Sequence, residues 1–194
     1  MTFFTLVRHG QTSWNLDRRI QGSTDIPLNE TGIADARAAA EMLRTETFDA
    51  IVASPLVRAH RTAQVIAEEL GLDEPLIETD LRERNFGVAE GLGVDEYLQR
   101  YGNWHTGVPE SETLDVVGAR AGRALLRLSA RARLQTSPRA PRIIVVTHGG
   151  VIRSLLHRAS GGTLPHDGES LANGSIHHFL AQPDALHIWN HPAT

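Results

Sequence analysis

Two stretches of this chain are apolar runs that stop at a histidine followed at once by glycine. They are Leu6-Val7-Arg8-His9-Gly10 near the start and Val145-Val146-Thr147-His148-Gly149-Gly150 near the end. A short apolar run that breaks at glycine is the pattern of a buried strand meeting a turn. Two such runs, with helical periodicity between them, call for a largely parallel sheet whose strand ends open on one crevice.

The segments between them fit that plan. Thr2 to Val7 is β-branched and aromatic and reads as a strand, followed by a polar loop from Gly10 to Pro27. Asn29 can cap a helix to about Arg44, with Ile33, Ala36, Ala40 and Leu43 on one face. Ala50 to Ala53 is a short strand. Ser54-Pro55 reads as an N-cap and first helical residue, opening a helix with Ala59, Ala63, Ile66, Ala67 and Leu70 inward and Gly71 at its end. Leu76 to Thr79 is a weaker strand, and residues 80–111 are irregular and glycine-containing, read as a cap over the site. A long helix from about Thr113 to Arg133 buries Val117, Ala121, Ala124, Leu125 and Leu128. Ile143 to Val146 is a strand and Gly149 to about Ala159 a helix. Ser175 to Leu180 and Leu186 to Trp189 form a hairpin around Gln182-Pro183-Asp184. The expected fold is α/β, a three-layer sandwich with a mostly parallel central sheet and helices on both faces. A small cap is inserted after the third strand, all within one domain spanning 1–194.

Composition narrows the chemistry. The 194 residues include no cysteine, which excludes disulfides, thiolate metal sites and cysteine nucleophiles. A net charge of −4 gives no basic field to recruit nucleic acid, and no segment approaches a membrane span. The N-terminus lacks a basic n-region and meets Arg8 too early for a signal peptide, so the cytoplasm is expected. Two imidazoles, an arginine and glycines at adjacent strand ends supply a nitrogen nucleophile, a cationic clamp and close backbone approach. Those are the needs of phosphoryl transfer, which points to a phosphate ester as partner.

The motifs Val7-Arg8-His9-Gly10-Gln11-Thr12 with Asn15, Gln21-Gly22 and Pro27-Leu28-Asn29-Glu30-Thr31-Gly32 occur in order. They continue through Ser54-Pro55-Leu56-Val57-Arg58-Ala59-His60-Arg61-Thr62-Ala63, Leu81-Arg82-Glu83, Phe86-Gly87, Glu90-Gly91, Glu112-Thr113 with Arg120, and Val146-Thr147-His148-Gly149-Gly150. This ordered set resembles the histidine phosphatase superfamily, with the phosphoglycerate-mutase-like fold, and its phosphatase branch in particular. The resemblance implies His9 as the nucleophile that is transiently phosphorylated, and Arg8, Arg58 and His148 as the cationic clamp. Glu83 is implied as general acid, with Glu90 and Asp80 as fallback candidates. Asn15, Gln21, Gly22, Gly149 and Arg120 are implied at the phosphate or substrate pocket. One departure stands out: many relatives carry an aromatic before Glu-Gly, where this chain has Ala89.

These assignments imply a histidine acid phosphatase-type phosphomonoesterase, needing neither cofactor nor metal, for a small phosphorylated metabolite. Two rivals are a cofactor-dependent phosphoglycerate mutase-type phosphotransferase and a non-catalytic phosphoryl-binding scaffold. The short stretch from Glu83 to the long helix favours hydrolysis over the sealed site of a mutase. Arg120, Arg123, Arg127 and Arg131 form a basic stripe, read as a solvated helix face rather than a docking surface. His157, His166, His177, His178, His187 and His191 lack metal-ligand spacing and read as scattered histidines. The identity of the alcohol carrying the phosphate and the oligomeric state do not follow from the sequence.

Overall fold

In the computed structural model, residues 1–104, 107–166 and 168–189 are described. The elements are β1 (Thr2–Arg8), α1 (Ser13–Leu16), α2 (Glu30–Leu43), β2 (Ala50–Ala53), α3 (Val57–Leu70), β3 (Leu76–Ile77), α4 (Val94–Tyr101), α5 (Leu114–Thr136), β4 (Arg142–Thr147), α6 (Gly149–Ala159), β5 (Ile176–Ala181) and β6 (Leu186–Ile188). They build one mixed six-stranded sheet in the order β3-β2-β4-β1-β5-β6. The first four strands in that order run parallel, and the β5–β6 hairpin closes one edge antiparallel.

Helices cover both faces because the central strands are apolar on both sides. Along β4, Ile143 and Val145 pack with α5 and α6, whereas Ile144 and Val146 pack with α2 and α3. The two-residue repeat of a strand sends alternate side chains to opposite faces, so an unbroken apolar run needs two covering layers. Asn29 caps α2 by accepting from the Gly32 amide at 2.8 Å, and Thr113 caps α5 from the Val116 amide at 3.3 Å. Gly71, in the left-handed region at φ +66°, ends α3. A third apolar cluster, with Tyr97 and Ala89 fully buried, joins Ile20 of the first loop to residues 86–108.

Four local expectations change. The loop from Gly10 to Pro27 contains the short α1, capped by Thr12. Residues 80–111 contain α4, with Val94, Tyr97, Leu98 and Tyr101 at helical spacing. The strand at Leu76 is only two residues long, exposed at the sheet edge. The helix expected to open at Ser54-Pro55 begins instead at Val57, with Leu56 as its N-cap residue and no side-chain cap from it. Asp25, distant in sequence, accepts from the Val57 amide at 2.7 Å. Ser54 is committed elsewhere, as described below. His191 lies outside the described residues.

Candidate active site

Parallel pairing of β1 with β4 aligns Arg8 with Thr147, so His9 and His148 emerge side by side one residue beyond the paired ends. The His9 amide donates to the Thr147 carbonyl at 2.9 Å, and the two imidazole rings lie 5.1 Å apart between centroids. Both side chains are almost wholly buried. His9 Nδ1 faces the Gly10 carbonyl at 2.7 Å. Only a protonated nitrogen can bond a carbonyl, so Nδ1 carries the hydrogen and Nε2 keeps its lone pair. Burial, then the charges of Arg58 and Arg8, push His9 well below the ordinary histidine range. The imidazole is neutral near pH 7.

His148 is held through Nε2, 2.7 Å from the Ser54 hydroxyl. Burial, then Arg58, His9, Arg8 and Arg120, also push it well below its ordinary value. Its Nδ1 is buried and has no partner among the described residues. Arg58 is fully buried in the first turn of α3, donating to the Thr24 and Gly22 carbonyls at 2.9 and 2.8 Å. Arg8, ending β1, donates to the Leu171 carbonyl. The Nε atoms of both arginines are buried and unpartnered, and no carboxylate stands within ion-pair distance of either among the described residues. Buried cations without counter-charges are costly, and a bound anion relieves that cost. The three orphaned nitrogens belong to the residues expected to form the phosphate clamp.

A cleft of about 450 Å³ opens over Arg8, His9 and Arg58; the fully buried His148 is not among the residues that line it. Arg8, His9, Asn15, Gln21, Gly22, Arg58, Glu83 and Gly149 line it. Asn15 spends its carbonyl oxygen on the Thr12 amide and hydroxyl, each at 3.1 Å, so only its NH₂ remains to donate. Gly22 stands at φ +56°, and a Cβ there would strike the Glu90 carboxylate. Gly149 opens α6, whose positive dipole end faces the cleft.

Glu83 is the carboxylic acid that lines the cleft among the described residues. Its Oε2 accepts from the Gly150 amide at 3.1 Å and Oε1 from the Arg84 amide at 2.8 Å. A Cβ at position 150 would collide with Oε1, so the second glycine after His148 is what admits the carboxylate. The two fallback acids are occupied. Glu90 accepts from Ser23, Thr24 and Phe86 amides and the Thr24 hydroxyl, and Asp80 pairs with Arg127 at 2.8 Å.

Arg120 departs from the pocket position expected of it. Its guanidinium lies behind the segment carrying Glu83, donating to the carbonyls of Asp80 (2.8 Å), Arg82 (2.7 Å) and Glu83 (2.9 Å). The hydroxyl of Thr147 takes the remaining carbonyl of that run, Leu81, at 2.7 Å. An arginine on an apolar helix face with a glutamate eight residues before it could have signalled this burial; the stripe with Arg123, Arg127 and Arg131 masked it. Sequence reasoning also missed Asn173, which donates to the His9 carbonyl at 2.9 Å, and Trp14 and Arg153 of the cleft wall; Phe86 and Trp104, both within the segment expected to cap the site, line the cleft as well. Asn173 sits before Gly174 in a turn, where asparagine is unremarkable, so only tertiary contact shows its use.

The described residues include no group of three or more His, Cys, Asp or Glu suited to a metal ion, and no helix long and apolar enough to cross a membrane. The sequence profile of the histidine phosphatase superfamily (branch 1) matches residues 4–191. Among curated proteins, the chain is 40% identical over 177 residues to an uncharacterized phosphatase, PhoE, of Bacillus subtilis, covering 91% of this chain and 86% of that one. It is also 40% identical over 161 residues to phosphoglycerate mutase-like protein 4 of Arabidopsis thaliana, covering 79% and 69% respectively. Among solved structures, a mycobacterial glucosyl-3-phosphoglycerate phosphatase superposes with a TM-score of 0.82 at 27% identity, over 99% of this chain and all of that one. The matched span, the curated relatives and the fold agree: this chain is an enzyme of the histidine phosphatase superfamily.

Proposed function

We propose that the protein is a metal-independent phosphomonoester hydrolase, of the histidine acid phosphatase type, acting on a small phosphorylated metabolite through phosphohistidine at His9. The observation that carries this reading is the convergence of a neutral His9, its Nδ1 tied to Gly10, with orphaned nitrogens on Arg8, Arg58 and His148. The Nε2 lone pair attacks phosphorus in line, the P–N bond forming as the ester P–O bond breaks. The phosphoryl charge stays on the equatorial oxygens, where two guanidiniums and an imidazole N–H can bind it. The Ser54 hydroxyl, donating to His148 Nε2, would hold the proton on Nδ1 for this purpose. Asn15, Gln21 and Gly22 complete the phosphate cradle, with Gly149 at the dipole end of α6.

Glu83, protonated, gives its proton to the departing alkoxide. Ionised, it then takes a proton from the water that attacks phosphohistidine, releasing phosphate and restoring His9. Glu83 is half-buried and lines the cleft through which that water would enter. The mutase reading draws on the kinship with the Arabidopsis mutase-like protein. The shortness of the stretch between Glu83 and α5 argues against it, because retained phosphate needs a site sealed from water.

The deciding experiment incubates the protein with a ³²P-labelled ester and quenches in alkali, which preserves phosphohistidine. Acid-labile label at His9, absent in His9→Ala together with turnover, is expected. Undiminished turnover in His9→Ala would remove the mechanism. Activity is expected to survive EDTA; loss restored by a divalent ion would end the metal-independent form.

A further inference from the structure

Beyond Glu83 the cleft does not end. A second cavity of about 510 Å³ adjoins it, and Phe86, Val94, Trp104, Gly150 and Arg153 line both. Gly150 is the residue whose amide holds Glu83. In-line transfer puts the leaving oxygen on the side of phosphorus opposite His9, where the acid must meet it. The body that the alcohol carries beyond that oxygen thus has a route past Glu83 and Gly150 into this second chamber.

The walls are apolar and already in place. Phe86, Val94, Leu98, Trp104 and Leu114 face the chamber, all half-buried with apolar surface still wet. Their arrangement is fixed from behind by the fully buried Tyr97, which stacks on Trp104 at 4.8 Å and meets Phe86 edge-on at 6.1 Å. Each wall cation holds at least one partner. Arg84 donates to the Glu112 and Trp104 carbonyls, Arg153 to the Glu169 carbonyl at 2.6 Å, and Arg18 pairs with Asp95 at 3.0 Å. Apolar side chains supply most of the chamber's exposed lining, so a ligand there meets chiefly apolar surface.

On the hydrolase reading above, the geometry points to this chamber as the leaving-group site, and to phosphomonoesters of alcohols bearing a planar apolar body as the preferred substrate class. A small polyol would leave the chamber filled with water. A phenyl-sized body removes its own surface and that of Phe86, Leu98 and Trp104 from water together.

The test separates chamber from chemistry. Calorimetry compares two non-hydrolysable analogues, propylphosphonate and 3-phenylpropylphosphonate, and turnover compares the matching phosphate esters, whose leaving alkoxides are of similar basicity. The phenyl compound is expected to bind at least about tenfold tighter, with kcat/KM favouring its ester by a like factor. Leu98→Trp, which fills the chamber, and Trp104→Ala, which removes a wall, should each collapse the ratio between the two compounds. Because the readout is a ratio, a variant of lowered activity still reports, and if one variant fails to fold the other remains. Equal binding of the two phosphonates, or a preference that survives both substitutions, would overturn the proposal. A binding preference with no hydrolysis of either ester would uphold the chamber while ending the hydrolase reading.

Discussion

Arg120 and Glu112 form a two-pronged ion pair, Nε to Oε1 and Nη2 to Oε2, both at 2.8 Å, behind the segment that carries Glu83. The pair is a hub rather than a surface bridge. Glu112 also accepts from the Asn85 amide at 3.0 Å, and Arg120 holds three consecutive-segment carbonyls from Asp80 to Glu83. Burial raises the Glu112 carboxyl, but the bonds from Arg120 and Asn85 outweigh it and hold the group below its ordinary range. The planar fork of arginine suits this task and the point charge of lysine does not.

Arg120→Ala is therefore expected to destabilise the fold by roughly 3–5 kcal/mol, the cost of leaving a buried partner uncompensated. Urea denaturation measures it. Arg120→Lys should fold but slow the reaction of alkyl esters more than that of aryl esters, because Glu83 loses its fixed place. A loss equal for both ester types would mean that Arg120 supports the fold without positioning the acid.

Ser54 is expected to act chiefly on His148, its hydroxyl also accepting from the Leu56 amide at 3.3 Å. Ser54→Ala removes the hydroxyl 2.7 Å from Nε2 and leaves a buried nitrogen unpaired, at a cost of about 1–3 kcal/mol. Vanadate, a mimic of the transferring phosphoryl group, should bind on the order of tenfold more weakly. ¹⁵N chemical shifts of His148 should report a changed tautomer. Unaltered shifts with weakened vanadate binding would assign Ser54 a different part.

The histidine pKa shifts fix a pH dependence of stability. His9 is held well below its ordinary value in the folded protein, mainly by burial, so the unfolded chain binds its proton first as pH falls. Stability contributed by the neutral form is thus present above about pH 6.5 and is lost on acidification below it. Each such histidine steepens the loss by about 1.4 kcal/mol per pH unit. His9→Gln should flatten the slope of unfolding free energy between pH 6.5 and 5 by that amount, measured by urea titration at fixed ionic strength. A slope unchanged by the substitution would contradict a neutral buried His9.

The parts of this architecture that could be read from the sequence are those written in local chemistry. The apolar runs ending at His9 and His148 give β1 and β4, and Asn29, Thr113 and Gly71 mark helix ends within a residue or so of where they occur. Ser54 misled because Ser-Pro is a good helix opening in isolation, whereas here its hydroxyl pairs with His148 and reaches only the Leu56 amide, and Asp25 accepts from the first helical amide at Val57. Helix α4 was hidden by flanking glycines and by a charged face, although Val94, Tyr97, Leu98 and Tyr101 carry the right period. Arg120 could not be told from its exposed neighbours on α5 because its burial depends on a segment that returns from forty residues earlier. The wall of the second chamber shares that reason: Phe86, Leu98 and Trp104 meet only through folding.

Glu83 offers the sharpest separation of proton donation from mere support. Alkyl phosphates leave as strongly basic alkoxides and gain much from a proton delivered in the transition state, whereas p-nitrophenyl phosphate releases a weakly basic phenolate and gains little. Glu83→Gln keeps the shape and an acceptor for the Gly150 amide while removing the transferable proton. Phosphorylation of His9 by an alkyl ester should slow on the order of 10²-fold, and by the aryl ester far less. Rapid-quench measurement of the first turnover is required, since Glu83 would also serve as base in the shared dephosphorylation step and a steady-state rate would blend the two. Using 3-phenylpropyl phosphate as the alkyl ester keeps an aromatic body in both substrates, so that any contact with Phe86 or Trp104 cancels from the comparison. Equal slowing of both bursts would mean that the carboxyl holds Gly150 and the start of α6 in place without donating a proton. The acid would then have to come from solvent, because Glu90 and Asp80 are tied to Thr24 and Arg127.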